Sequence, residues 1–468
     1  MKFLLIRPGN QENKKNFFIF TPSTHAPLGL LYLGATLEND GHEVELIDFY
    51  AEDVSRQQLE NALNSCDAVG MSVFTYDYKS AAEVSKMIKD IDSDIPIVIG
   101  GPHCTFLSKR SLSDIPCADI SVSGEGEKVF SEIVQFLQGR KKLCDINGIL
   151  YRDNGSIVTG PPPKVNDNLD DLPIPARHLV DKYDYGSFPF GYKLKKKVTS
   201  LMTTKGCPFH CRFCSRYNNF IKNWSFRKRS AENVVNEILE INGKCRSVMI
   251  IDDNFLADKK RAHRILDMIL ENDTNIDFLI GGARVDTAEK ELYLKMKKAG
   301  VKFILYGVES GNQDVLDFYN KKITLQQIQK ATMLARKMNF LVYASFILGA
   351  PIENKKHIEN TIKFACSLPI DVAIFGILGY MYGSSLWFEA VKNGKISKDE
   401  YIRISDKNHG LGNFTKKELI QDTMKAFKKF YFRPSYLVCQ IYRSILRNDY
   451  SLLFNGSKFL FMFNKIGK

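Results

Sequence analysis

The chain has 468 residues, of which 44% are hydrophobic and 25% charged, with a formal net charge of +12. That length exceeds one ordinary core and predicts two or three domains, and that composition excludes a disordered or low-complexity protein. The ten cysteines follow no even pattern, which excludes a disulfide framework, and no run of about 18 apolar residues marks a membrane span. Residues 1–7 read as a first strand rather than a cleavable leader, so a cytoplasmic setting is expected. The positive balance leaves nucleic acid, an anionic membrane surface or an acidic substrate as charge-matched partners.

In chain order, apolar runs at residues 3–6, 44–47, 68–73, 95–99 and 120–122 alternate with helical patterns at 28–37, 59–63, 81–91 and 129–137. This alternation predicts a parallel, doubly wound α/β sheet. Such sheets bind ligands beyond the carboxyl ends of their strands. Ser72-Val73-Phe74-Thr75, Gly100-Gly101-Pro102-His103 and Ser123-Gly124-Glu125-Gly126-Glu127 fall there, and their glycines let the backbone approach a bulky group. Together with Pro27-Leu28-Gly29-Leu30-Leu31-Tyr32-Leu33 and Gly41-His42-Glu43-Val44, these runs make the N-terminal part similar to a Rossmann-like cobalamin-binding domain. The resemblance implies that residues 1–145 form this domain, with Ser72, Thr75, Gly100, Gly101, His103, Ser123, Gly124 and Glu125 at the cobalamin. One departure is the missing Asp-x-His-x-x-Gly signature, since Asp40-Gly41-His42 is not followed by Gly at the required place. No protein ligand to cobalt is therefore assigned, and a domain that only packs on its neighbour is the competing reading.

Residues 146–190 predict a hairpin, at 148–151 and 156–158, and then an extended connector. Pro161, Pro162, Pro163, Pro173 and Pro175 exclude a helix or sheet interior there. From Val198 on, strand patterns recur at 198–202, 247–251, 277–280, 303–306, 341–347 and 372–375, with capping-box signals at Asp286-x-x-Glu289 and Thr324-x-x-Gln327. Six β/α repeats over residues 191–390 predict an open, partial (β/α)6 barrel of TIM type, followed by a helical region at 391–468.

The first of these strand patterns runs into Gly206-Cys207-Pro208-Phe209-His210-Cys211-Arg212-Phe213-Cys214. Three thiolates on one tight loop can hold three irons of a cubane and leave the fourth open to a substrate or cofactor. The alternatives are three unligated thiols or a zinc site, for which His210 is the only local fourth ligand. Cys207-x-x-x-Cys211-x-x-Cys214, with Phe213 before the last cysteine, resembles the cluster motif of the radical S-adenosylmethionine (radical SAM) enzymes that carry a cobalamin-binding domain. That resemblance implies a [4Fe–4S] cluster on Cys207, Cys211 and Cys214, S-adenosylmethionine on the open iron, and its one-electron cleavage to a 5′-deoxyadenosyl radical. It further implies Phe213 beside the adenine and Asp253, of Asp252-Asp253-Asn254-Phe255, on the amino group, where Gly-Gly-Glu is more common. Glu309 and Ser310, of Gly307-Val308-Glu309-Ser310-Gly311, would also contact S-adenosylmethionine, and Arg284 would pair with its carboxylate. Competing roles are a helix N-cap for Asp253, a structural salt bridge for Arg284 and a core aromatic for Phe213. Two further departures are Ile352-Glu353-Asn354 after Gly349-Ala350-Pro351, and Tyr382-Gly383-Ser384-Ser385-Leu386 where Pro-Gly-Thr is common.

From Lys416 on, the chain is rich in Lys and Arg, and only Glu418, Asp422 and Asp449 oppose them. Tyr436, Leu437, Ile441, Tyr442 and Ile445 fall on one helical face, with Arg443 and Arg447 elsewhere. Such a helix caps a barrel; the alternative is peripheral membrane contact that presents an apolar substrate. The resemblance implies cobalamin-dependent methyl transfer to an unactivated carbon of a small-molecule or lipid-like substrate. A flavodoxin- or ferredoxin-type electron donor is implied, and nucleic acid is not. A second reading keeps the radical but ends in cyclisation, rearrangement or oxidation. A third, an RNA-binding protein with a structural cluster, is weakened by the apolar character of the basic tail and the lack of a small β-barrel RNA module.

Overall fold

Short apolar runs bounded by turn residues become strands because only a sheet covered on both faces buries them completely. In the computed structural model, which describes residues 1–9, 25–187 and 197–454, the first five are β1 (Lys2–Arg7), β2 (Glu43–Asp48), β3 (Ala68–Ser72), β4 (Ile97–Gly100) and β5 (Ile120–Val122). Helices α1 (Leu28–Asn39), α2 (Arg56–Leu63), α3 (Tyr78–Ile91) and α4 (Gly126–Leu137) alternate with them. A hairpin, β6 (Ile149–Asp153) and β7 (Ser156–Thr159), completes a seven-stranded sheet in the order β2-β1-β3-β4-β5-β6-β7. Strands β1 to β5 pair in parallel, and β6 joins β5 antiparallel, Ile120 opposite Tyr151. The hairpin thus belongs to the first sheet rather than to a connector, because Ile149, Leu150 and Tyr151 are buried there. The order reverses between β1 and β3, which makes their carboxyl ends the switch point where such sheets bind ligands.

The chain divides into two compact units, Met1–Tyr185 with Tyr217–Arg227, and Gly186–Arg216 with Lys228–Lys468. In the second, β8 (Val198–Leu201), β9 (Ser247–Ile250), β10 (Asp277–Ala283), β11 (Val301–Glu309), β12 (Leu341–Leu348) and β13 (Val372–Ile377) form a six-stranded sheet in consecutive order. All neighbours are parallel. Crossovers run through α5 (Ala231–Ile241), α6 (Lys259–Glu271), α7 (Lys290–Lys298), α8 (Leu325–Lys337) and α9 (Lys355–Ser367). This is the open (β/α)6 barrel that the strand pattern predicts. Strand β11 runs three residues past its expected end through a register shift between Gly307 and Glu309.

Thr324 and Gln327 form the expected capping box of α8. Residues 286–289 do not form one. Helix α7 begins at Lys290 without a side-chain cap, and the Asp286 carboxylate is taken by Arg284 at 2.8 Å. A charge-assisted, forked pair is stronger than a cap to a neutral N–H. Beyond the barrel, α10 (Lys416–Tyr431) lies on β13, with the Tyr431 hydroxyl donating to the Ala373 carbonyl at 2.9 Å, and α11 (Pro434–Arg447) follows. Among the described residues no helix is long and apolar enough to cross a membrane.

Candidate active site

The three-cysteine loop hangs from the carboxyl end of β8, and its root is braced from three elements. The buried Asp252 carboxylate, just beyond β9, accepts from the Thr203 N–H at 2.6 Å, the Thr204 N–H at 3.2 Å and the Thr203 hydroxyl. Arg261 of α6 donates to the Thr203 carbonyl at 2.9 Å, and Arg229 donates to the Met202 carbonyl at 2.8 Å while paired with buried Glu237. The far side of the loop is tied down too. The Arg212 N–H donates to the Tyr319 carbonyl at 3.0 Å, Asn320 to the His210 carbonyl at 2.8 Å and Ser215 to the Tyr382 carbonyl at 2.8 Å. Phe213 is half-buried and meets Tyr319 edge-on, with ring centres 5.1 Å apart. Arg229, Arg261 and Asp252 are residues that motif reading passed over. Their only local signal is charge in a segment that also contains buried positions.

All three cysteines are unpaired, with Cys207 and Cys211 half-buried and Cys214 exposed. Desolvation pushes the Cys214 thiol up to about 12, helped by the Asp253 carboxylate and then by the Cys211 and Cys207 sulfurs. Cys207 is raised by the same causes, with a backbone N–H and Arg284 opposing. Sulfurs near enough to oppose each other's ionisation are a set that bound cations would stabilise. Among the described residues no three His, Cys, Asp or Glu side chains converge on one metal-ion position. A cubane does not ask for that, because each sulfur binds a different iron. His210 has its Nδ1 against the Arg216 guanidinium. The donor set therefore fits an iron–sulfur cluster.

Around the thiols lie alternating charges. Asp253 is exposed, burial of its surroundings and the Asp252 charge raise its carboxyl above the ordinary value, and among the described residues it accepts no hydrogen bond. It is not a helix cap, because α6 is capped by Asp258. Gly282 makes room for this segment, since a Cβ there would lie 2.6 Å from the Asp252 carbonyl. Glu309 sits at the bulged end of β11 with φ of 70°, a left-handed conformation that non-glycine residues hold only under constraint. The constraint is Lys321, whose ammonium meets the Glu309 carboxylate at 2.7 Å with both nearly buried. Gly307 lies beneath them, where a Cβ would meet the tips of both charged side chains. Arg284 grips Asp286, donates to the Lys321 carbonyl at 2.7 Å and lies 3.7 Å from the centre of the Phe209 ring. Ser310 is fully buried in hydrogen bonds with Thr361 and Asn312. Glu309, Arg284 and Ser310 thus all carry structural partners, and Asp253 alone of the expected S-adenosylmethionine contacts stands free. Farther on, Glu353 accepts from the Gly349 and Ala350 N–H groups at 2.6 and 2.8 Å, and burial pushes its carboxyl up to about 7.

In the first unit, Ser72, Gly100, Gly101, Ser123 and Gly124 do stand at the carboxyl ends of β3, β4 and β5. Gly101, with φ of 96°, packs against the Val73 backbone, where a Cβ would come within 3.0 Å of the carbonyl oxygen. Thr105, not foreseen from sequence, links two of these turns by donating to the Gly101 carbonyl and accepting from the Gly124 N–H, each at 3.0 Å. Thr75 lies between Phe74 and Tyr76, whose stacked, exposed rings have centres 5.3 Å apart. A glycine-lined edge beside an exposed aromatic pair suits a large flat macrocycle, so cobalamin fits here too. Two of the expected contacts carry structural partners. The His103 ring is wholly buried, stacked on Tyr78 and 3.3 Å from Asp114. Glu125 is held by buried Arg227 at 2.9 Å.

A doubly wound sheet with an open glycine edge, and in the same chain a partial barrel with three thiols at the carboxyl end of its first strand, define the cobalamin-associated radical enzymes. Residues 20–134 match the family model of the B12 binding domain, and residues 201–365 match that of the Radical SAM superfamily. The chain is 34% identical over 450 residues to an uncharacterised methyltransferase of Pyrococcus horikoshii, covering 94% of this chain and 95% of that one. It is 26% identical to the anaerobic magnesium-protoporphyrin IX monomethyl ester cyclase of Rubrivivax gelatinosus, covering 88% and 74%. Its fold is similar to that of the cobalamin-dependent S-adenosylmethionine radical enzyme OxsB, with a TM-score of 0.72 at 18% identity, covering 97% and 72%. The chain belongs to the radical SAM enzymes with a B12-binding domain. Its cofactors are a [4Fe–4S] cluster, S-adenosylmethionine and cobalamin.

Proposed function

We propose that this enzyme methylates an unactivated carbon of a small-molecule or lipid-like substrate, with Cys207, Cys211 and Cys214 as cluster ligands and Asp253 as the anchor of the S-adenosylmethionine ammonium. The observation that carries this reading is the free Asp253 carboxylate beside the thiol trio, in a chain similar over 94% of its length to a methyltransferase. When bound, the cluster supplies the electron that cleaves S-adenosylmethionine, and methylcobalamin supplies the methyl group. The residues of the chain bind and orient. Asp253 offers a charge-assisted bond to an ammonium. Arg284 keeps Asp286 and the Lys321 carbonyl on its Nε and Nη2, leaving Nη1 for a carboxylate. Phe209 and Phe213 exclude water beside the sulfurs. Glu309, Lys321 and Ser310 hold the mouth in shape. In the first unit Ser72, Thr75, Gly100, Gly101, Ser123 and Gly124 line the cobalamin edge, and His103 and Glu125 brace it.

Domain boundaries near residues 145, 190 and 390, a flavodoxin- or ferredoxin-type electron donor and a peripheral membrane contact belong to the same proposal. The test is turnover by anaerobically reconstituted protein. Deoxyadenosine together with S-adenosylhomocysteine and a methylated product supports methyl transfer. Deoxyadenosine alone supports radical cyclisation, the reading favoured by likeness to the Rubrivivax gelatinosus cyclase. Asp253→Asn is expected to keep the cluster's visible absorbance and to weaken S-adenosylmethionine binding about tenfold. Full cluster loading with no cleavage in the unaltered protein would defeat both readings.

A further inference from the structure

A helix on a protein exterior normally turns its apolar face inward. Helix α11 does the reverse. Its inward side chains are polar and converge on Asp371, which is wholly buried just before β13. Arg443 ion-pairs with Asp371 at 2.9 Å and Arg447 at 2.7 Å, Gln440 donates to its carboxylate at 3.3 Å, and the Tyr436 hydroxyl donates to its carbonyl at 2.8 Å. The outward face carries Leu437, Val438, Ile441, Tyr442, Ile445 and Leu446, each between 44% and 68% exposed. The helix cannot roll over to hide them without leaving a buried carboxylate unpaired, a change that is strongly destabilising. The inversion is therefore fixed by the fold.

Its position rules out substrate delivery. Arg443 and Arg447 also donate to the Phe340 carbonyl, ahead of β12, so α11 lies at the amino ends of the strands. The thiols and Glu309 lie at the carboxyl ends. Exposed positive charge lies on the helix that precedes α11. Lys425, Lys428 and Lys429 of α10 are exposed. A cavity of about 390 Å³ at the same end is lined by Arg246, Lys297, Lys302 and Arg447, against Asp277 and Asp449. Two copies pairing through α11 would bring like charges together, which is costly. An anionic bilayer offers both an apolar layer and opposite charge.

We propose that α11 seats the amino-end face of the barrel on an anionic phospholipid surface, as a tether that leaves the catalytic mouth facing away. The test uses the full, reconstituted protein and sedimentation with vesicles, a readout independent of catalysis. Vesicles of equal parts phosphatidylglycerol and phosphatidylcholine should bind it in a salt-sensitive way, and phosphatidylcholine alone should not. The combined Val438→Asp, Ile441→Asp and Ile445→Asp variant should bind at least about tenfold more weakly with S-adenosylmethionine cleavage retained. Lys428→Glu with Lys429→Glu, on exposed positions of α10, should also weaken binding and guards against misfolding of the first variant. The proposal is overturned by absence of vesicle binding at low salt. It is equally overturned by a dimer in light scattering that the triple variant dissolves, since a second copy would then cover the face. Binding that emerges only after removal of residues 455–468 overturns it as well, since the chain's own tail would be the cover.

Discussion

Replacing Asp252 with Ala should release the cysteine loop while leaving the barrel folded. The carboxylate is 4% exposed and is the acceptor for the N–H groups of Thr203 and Thr204. Its loss strands two buried donors, at about 1–3 kcal/mol each. Part of that is returned because burial already penalises the charge and raises its pKa, so the net loss is about 3 kcal/mol. Arg261 and Arg229 still hold the Thr203 and Met202 carbonyls, so the strand end stays in place. Asp252→Asn should lose only about 1 kcal/mol, since the amide oxygen can accept from both N–H groups. Urea unfolding of the metal-free chain measures the stability, and iron per chain after anaerobic reconstitution measures the loop. The expected result is a parallel fall in both, larger for Ala. Normal stability and normal iron in Asp252→Ala would refute the bracing role.

Lys321→Met should leave the Glu309 charge buried and alone, lowering stability by about 3–5 kcal/mol, and adding Glu309→Gln should restore most of it. Thermal melts of the two variants decide this, and equal losses would show that the pair is not coupled. The Glu353 carboxyl titrates near 7 in the folded chain, against an ordinary value of 4.5. An acid whose pKa is raised on folding binds its proton more tightly when folded. Its contribution is therefore complete below about pH 4.5 and is lost as pH rises through about 7, by up to about 3 kcal/mol. Stability measured across this window should fall less steeply in Glu353→Gln, and an unchanged slope would remove Glu353 as its source.

The sequence by itself determined the two sheets and the thiol loop. Strands such as β5 and β9 lie within a residue of their apolar runs, because burial on both faces leaves a local mark. Cys207, Cys211 and Cys214 are close for a covalent reason, being separated by only three and two residues. Tertiary structure decided what the charged residues do. Glu309 meets Lys321, 12 residues on. Glu125 meets Arg227, 102 residues on, and His103 stacks on Tyr78. Helix α11 shows the limit most clearly. Periodicity reveals that it has two faces but not which one turns inward. That choice was made by one buried carboxylate, Asp371, which meets Gln440, Arg443 and Arg447 only once the chain has folded. Apolar burial follows from pattern along the chain, whereas the pairing of charges depends on which distant groups reach the same dry place.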